Sequence, residues 1–82
     1  MAEQETLKTL GAAIQQQRKQ LGLSQTEVAD LAGVSLNFVS QIETGKATAQ
    51  IGKVLDLVHA LGLQFALEFG KNRLINRTAR KT

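Results

Sequence analysis

Ser35, Leu36, Asn37, Ser40 and Gln41 crowd into seven consecutive positions of this chain. The amides of Asn and Gln donate and accept at once, the geometry that bonds adenine bidentately through N6 and N7. A serine hydroxyl adapts to either kind of partner, and an exposed leucine can meet a thymine methyl. On one face of a helix the set would read base edges of an A·T-containing half-site. A merely solvated polar face would account for Ser40 and Gln41 but not for Leu36 at an outward position. Thr44 and Lys46 follow immediately, where donors to a phosphate oxygen would fall, although a lysine in a turn is as readily only solvated. Catalytic chemistry finds no purchase. There is one histidine, no cysteine, no tyrosine, no glycine-rich phosphate loop and no pair of carboxylates at working distance, so nucleophile and base are both missing. His59 has no cysteine or acidic cluster at ligand spacing and reads as a helix-surface residue, not a metal ligand.

These side chains need short, well-terminated elements to hold them. Leu7, Leu10, Gly11, Ile14, Arg18 and Leu21 recur at steps of three and four, which predicts a first helix over residues 6–21, ended by Gly22. Ser24 with Glu27 forms a capping box at the head of a second helix, residues 25–32, whose inner side would be Val28, Leu31 and Ala32. Gln25, in the first turn of that helix, could hold a phosphate oxygen with help from the helix dipole. Gly33 supplies a sharp turn, and Ser35 can cap a third helix running to Glu43 with Val39 and Ile42 inward. Thr48 can cap a fourth, residues 49–61, with Ile51, Val54, Leu55, Val58 and Leu61 inward and Gly62 as its stop. Arg18 on an apolar stripe and Glu43 beside Ile42 would each be partly buried, so the two are expected to pair.

After Gly62 the period changes. Leu63, Phe65, Leu67 and Phe69 alternate with Gln64, Ala66 and Glu68, the pattern of a half-buried strand. A lone strand has no stable existence, so the segment either pairs with its copy across a two-fold axis, as a lid over the helices, or packs unpaired on its own domain. The expected fold is mainly α, with one C-terminal β-strand pairing across a dimer. It divides into a domain at 1–70 and a basic tail at 71–82.

At 82 residues the chain fits one small domain with a modest stability margin. The absence of cysteine agrees with a reducing cytoplasm, no segment has the run of apolar residues that a membrane span needs, and no cofactor is expected. The net charge of +3 is unevenly placed: residues 1–70 carry five basic and seven acidic side chains, and residues 71–82 carry Lys71, Arg73, Arg77, Arg80 and Lys81 with no acid. Such a tail either binds a polyanion or is simply solvated.

The segment LGLSQTEVADLAGVS, from Leu21 to Ser35, followed by IETGK, from Ile42 to Lys46, strongly resembles the XRE family, the Cro and CI type of helix-turn-helix. The resemblance covers residues 7–62 and implies a compact four-helix, lambda-repressor-like DNA-binding domain. In that family the position of Gln25 holds a phosphate, and an ion pair at the positions of Arg18 and Glu43 sets the angle of the recognition helix. Leu36 departs from the family, where its position is often polar, so base preferences do not transfer. The strand pattern resembles the lid of HipB-like antitoxins, which repress their own operon and hold a HipA-type kinase toxin. The resemblance therefore implies a dimeric repressor of a palindromic operator, with a toxin as second partner. A stand-alone regulator and a partner-binding adaptor are the other readings.

If the tail touches DNA, deleting residues 71–82 should make the slope of log K against log salt shallower by up to about 4. A salt titration of the truncated chain that returns the full-length slope would assign the tail to solvent or to a protein partner.

Overall fold

The stripe from Leu7 to Arg18 lies on a helix longer at its start than the spacing predicts: α1 runs Ala2–Gln20. The computed structural model describes residues 2–48 and 50–66, and three further helices follow: α2 at Gln25–Ala32, α3 at Leu36–Glu43 and α4 at Ile51–Ala60. α1 packs on α3, and α2 packs on both α3 and α4.

The three short helices turn the same spacing, i, i+3, i+4 and i+7, toward the interior, buried at every position only on α4. On α4 it is Val54, Leu57, Val58 and Leu61, all at most 3 % exposed. On α3 the stripe is Ser35, Phe38, Val39 and Ile42, and on α2 it is Gln25, Val28, Ala29 and Ala32. Val28, Ala29, Phe38, Val39, Ile42 and the α4 stripe form one core with Ile14 of α1, flanked by Leu10, Leu23, Ala32, Val34 and Leu63.

Three inward assignments are corrected. Leu31 is 63 % exposed, because the α2 stripe centres between Val28 and Ala32 and turns position 31 to the outside. Leu21 is 49 % exposed because α1 has already ended, and Leu23 goes inward in its place. Ile51, the first residue of α4, is 60 % exposed one turn ahead of the buried stripe, while Leu57, absent from the expected set, is fully buried. Thr48 does not cap α4. The N-cap is Gln50, which makes no side-chain cap bond, and the Thr48 hydroxyl accepts the Gln50 amide at 3.1 Å within the connecting loop.

All four helices end by one device. The amides of Leu23, Val34, Lys46 and Leu63 donate back to the carbonyls of Arg18, Ala29, Gln41 and Val58 at 3.0–3.1 Å, each across a left-handed glycine. At Gly33, φ 73°, this reversal is the whole turn between α2 and α3, and a side chain there would be strained. The heads of α2 and α3 are capped as their sequences require. Ser24 accepts the Glu27 amide at 3.0 Å while Glu27 accepts the Ser24 amide at 2.8 Å, and Ser35 accepts the Phe38 amide at 3.0 Å.

Residues 63–66 leave α4 in irregular conformation, Leu63 half-buried and Phe65 37 % exposed, and there is no strand among the described residues. A strand that pairs only across a dimer has no partner within one chain. Leu67 and Phe69, like the tail at 71–82, lie outside the described residues.

Gly11 governs how closely α1 meets α3. A Cβ built on it would run into the Ile42 carbonyl oxygen and lie 2.9 Å from that of Glu43. Helix propensity alone would make Gly11→Ala stabilising by about 1 kcal/mol, but the clash is with backbone and should cost about 1–3 kcal/mol. Urea denaturation should show a lower midpoint. A raised midpoint would mean that the two helices separate freely.

Candidate nucleic-acid interface

α3 presents two faces because its inner stripe leaves the other side uncovered. Phe38, Val39 and Ile42 are buried, while Leu36 is 48 % exposed and Asn37 and Gln41 are exposed beside it. Ser40 is half-buried at the margin. Ser35 is exposed, but its oxygen already accepts the Phe38 amide, which leaves its hydroxyl hydrogen to donate. Burial of Phe38 went unnoticed in the sequence, although it sits on the stripe of Val39 and Ile42.

At the far end of α3 the Glu43 carboxylate gathers donors from two other helices. Arg18 of α1 approaches in two-pronged fashion, Nε to Oε2 at 2.6 Å and Nη2 to Oε1 at 3.1 Å. Its Nη1 donates to the Leu23 carbonyl at 2.9 Å, reaching the connection into α2. Gln25 of α2 donates to Oε1 at 2.9 Å and Gln15 of α1 donates to the same oxygen at 3.4 Å. Burial opposes ionisation of Glu43, yet the hydrogen bonds from Arg18 and Gln25 and the Arg18 charge outweigh it and hold the carboxyl below its ordinary range. The hydrogen bond to Glu43 raises Arg18 above its own ordinary value. Neither Gln15 nor Gln25 was expected in this cluster. The α2 stripe, which begins at Gln25, is the signal that could have found the second.

The remaining positions sort by what their hydrogens do. One Gln25 amide hydrogen goes to Glu43, and the other has no partner among the described residues. Thr44 gives its hydroxyl hydrogen to the Gln41 carbonyl at 2.9 Å. Lys46 is exposed in the turn, and His59 is exposed on α4. Among the described residues no three His, Cys, Asp or Glu side chains gather as a metal site would require, and no helix is long and apolar enough to cross a membrane. An exposed hydrogen-bonding face on a helix held at both ends can enter a groove and meet the edges of stacked bases.

Two comparisons with known proteins bear on this surface. The helix-turn-helix family profile matches residues 14–67, which contain Arg18, Glu43 and all of α2, α3 and α4. The chain is also similar to a protein of Sinorhizobium fredii (strain NBRC 101917 / NGR234) named uncharacterized HTH-type transcriptional regulator y4mF. The two are 49% identical over 53 residues, 65% of this chain and 70% of the relative.

Replacing Glu43 by Gln strands a buried guanidinium and should cost about 3 kcal/mol. Because the folded carboxyl titrates below its unfolded value, its contribution is complete above the ordinary carboxylate range and is lost as pH falls through the lower, folded value. The wild type should therefore lose stability on acidification more steeply than Glu43→Gln. Parallel melting-temperature curves for the two proteins would show that the pair carries no linkage.

Proposed function

The chain belongs to the helix-turn-helix family, and on that premise we propose that it is a sequence-specific, DNA-binding transcriptional repressor. The observation that carries this reading is the division of α3, with Leu36, Asn37 and Gln41 exposed against a back of Phe38, Val39 and Ile42. In the complex α3 lies in the major groove. Asn37 and Gln41 face adenines, Leu36 a thymine methyl, and Ser35 and Ser40 supply adaptable bonds. Gln25 turns its second amide hydrogen to a phosphate at the head of α2, held in place by Glu43. Lys46 meets the phosphate backbone beyond α3; Thr44, its hydroxyl hydrogen committed to Gln41, serves there through position more than donation.

A palindromic operator needs two such helices one turn of DNA apart, so the acting species is a homodimer. Its lid is the alternating segment Leu63, Phe65, Leu67 and Phe69, supported by the exposure of Phe65 just past α4. The finer form of the proposal is a cytoplasmic antitoxin of the HipB kind that represses its own operon and holds a HipA-type kinase. It rests on the strand pattern, and a stand-alone regulator is the alternative. A kinase-like reading frame beside this one, and a stable complex of the two products, would support the antitoxin. Absence of such a frame would leave the stand-alone regulator.

Selection of bound duplexes from a randomised pool gives the operator, and single-base variants of it test the assignments. Asn37→Ala or Gln41→Ala should weaken binding by about 1–3 kcal/mol and flatten preference at one position, while Gln25→Ala weakens all sequences alike. Unchanged preference at every position in Asn37→Ala would remove α3 as the reading helix.

A further inference from the structure

Positive charge is scarce on the body of this protein. Between Gln4 and Ala66 the chain carries five basic and five acidic side chains, and the Arg18 charge is neutralised by buried Glu43. A domain with no surplus charge binds a polyanion only through where its few cations stand. Four remain, Lys8, Lys19, Lys46 and Lys53. Of these, Lys46 follows α3 directly, and a second is brought to the same turn from a distant part of the chain.

That second cation is Lys8. Gly45 is left-handed, φ 85°, and a Cβ built on it would lie 3.1 Å from Lys8 Cγ, 3.3 Å from Lys8 Cα and 3.4 Å from Lys8 N. The backbone and Cγ of Lys8 thus pack closely against the turn after α3, leaving little room for a side chain at position 45. Gly11, one turn further along α1, permits the same close approach against the last carbonyls of α3. Lys8 is exposed, and Arg18–Glu43 is the one ion pair among the described residues, so none of their carboxylates lies within 4 Å of the Lys8 ammonium. Between them, Lys8 and Lys46 flank Gly45 from two different elements.

We propose that Lys8 is a phosphodiester-binding residue, which with Lys46 grips the DNA strand that borders the groove occupied by α3. The proposal rests on the DNA-binding reading above and adds a contact from α1. Its local rival is a cation that stabilises the C-terminal end of the α3 dipole and touches no DNA. The two differ in salt dependence, since only a phosphate contact releases counterions.

The test is binding of the full-length protein to a mixed-sequence DNA duplex over a salt series, because phosphate contacts do not require the operator. Lys8→Gln should lower affinity on every sequence alike and make the log K against log salt slope shallower by about 1, and Lys8→Arg should restore the wild-type slope. A Lys8→Gln slope equal to that of the wild type overturns the proposal. If the melting temperature falls at the same time, Lys8 belongs to the α3 dipole. Failure of the wild type itself to bind duplex DNA at low salt would instead overturn the DNA-binding reading and this contact together.

Discussion

A carboxylate withdrawn from water must be compensated by the protein, and Glu43 is compensated by α1 and α2 at once. Such a pair adds little net stability over a well-packed apolar substitute, but it accepts few geometries. Arg18 can keep both prongs on Glu43 and its third nitrogen on the Leu23 carbonyl only if α1, α3 and the approach to α2 hold their mutual positions. Gly11 imposes the same restriction sterically, since α1 touches α3 backbone where any side chain would intrude. The end of the exposed helix is therefore fixed twice, by charge and by contact. Its beginning is fixed by the Ser35 cap and the Gly33 turn.

The rotation of α2 links this cluster to the surface. One stripe carries Gln25, Val28, Ala29 and Ala32, so turning Val28 into the core necessarily aims Gln25 at Glu43 and Leu31 at solvent. A rotation that buried Leu31 would withdraw a donor from the buried carboxylate. Of the exposed leucines and isoleucines, Leu36 has a place in the functional reading. Leu31 and Ile51 are exposed by the phase of their helices and take no part in that reading.

Local signals carried most of the fold in the sequence. The capping box at Ser24, the serine cap at Ser35, the glycine stops and the four-residue spacing of apolar side chains are written within a few positions of where they act, so the order of the helices and the two capped heads were legible. What failed was finer. Leu31 and Ile51 were placed by hydrophobicity and not by the phase of the stripe, and Leu57 and Phe38 were passed over though they lie on it. The contacts Gln15–Glu43 and Lys8–Gly45 span 28 and 37 positions, and no local pattern announces them. The exposed face of α3 was legible because its polar residues share a side, whereas the prior engagement of Thr44 and Gln25 depends on hydrogens that only a folded neighbourhood assigns.

The four helix endings differ in one respect. After three of the glycines the chain drops an apolar anchor onto the core, Leu23, Val34 or Leu63, but after Gly45 comes Lys46, exposed, with Ala47 and Thr48 exposed beyond it. The described part of the passage from α3 to α4 thus sends no apolar side chain into the core. Evolution can lengthen, shorten or recharge that passage without reopening the interior, while equivalent changes at the other three exits would pull a core residue out of place. With the phosphate contact proposed at Lys46, affinity for the DNA backbone could accordingly drift among descendants of this protein independently of their capacity to fold.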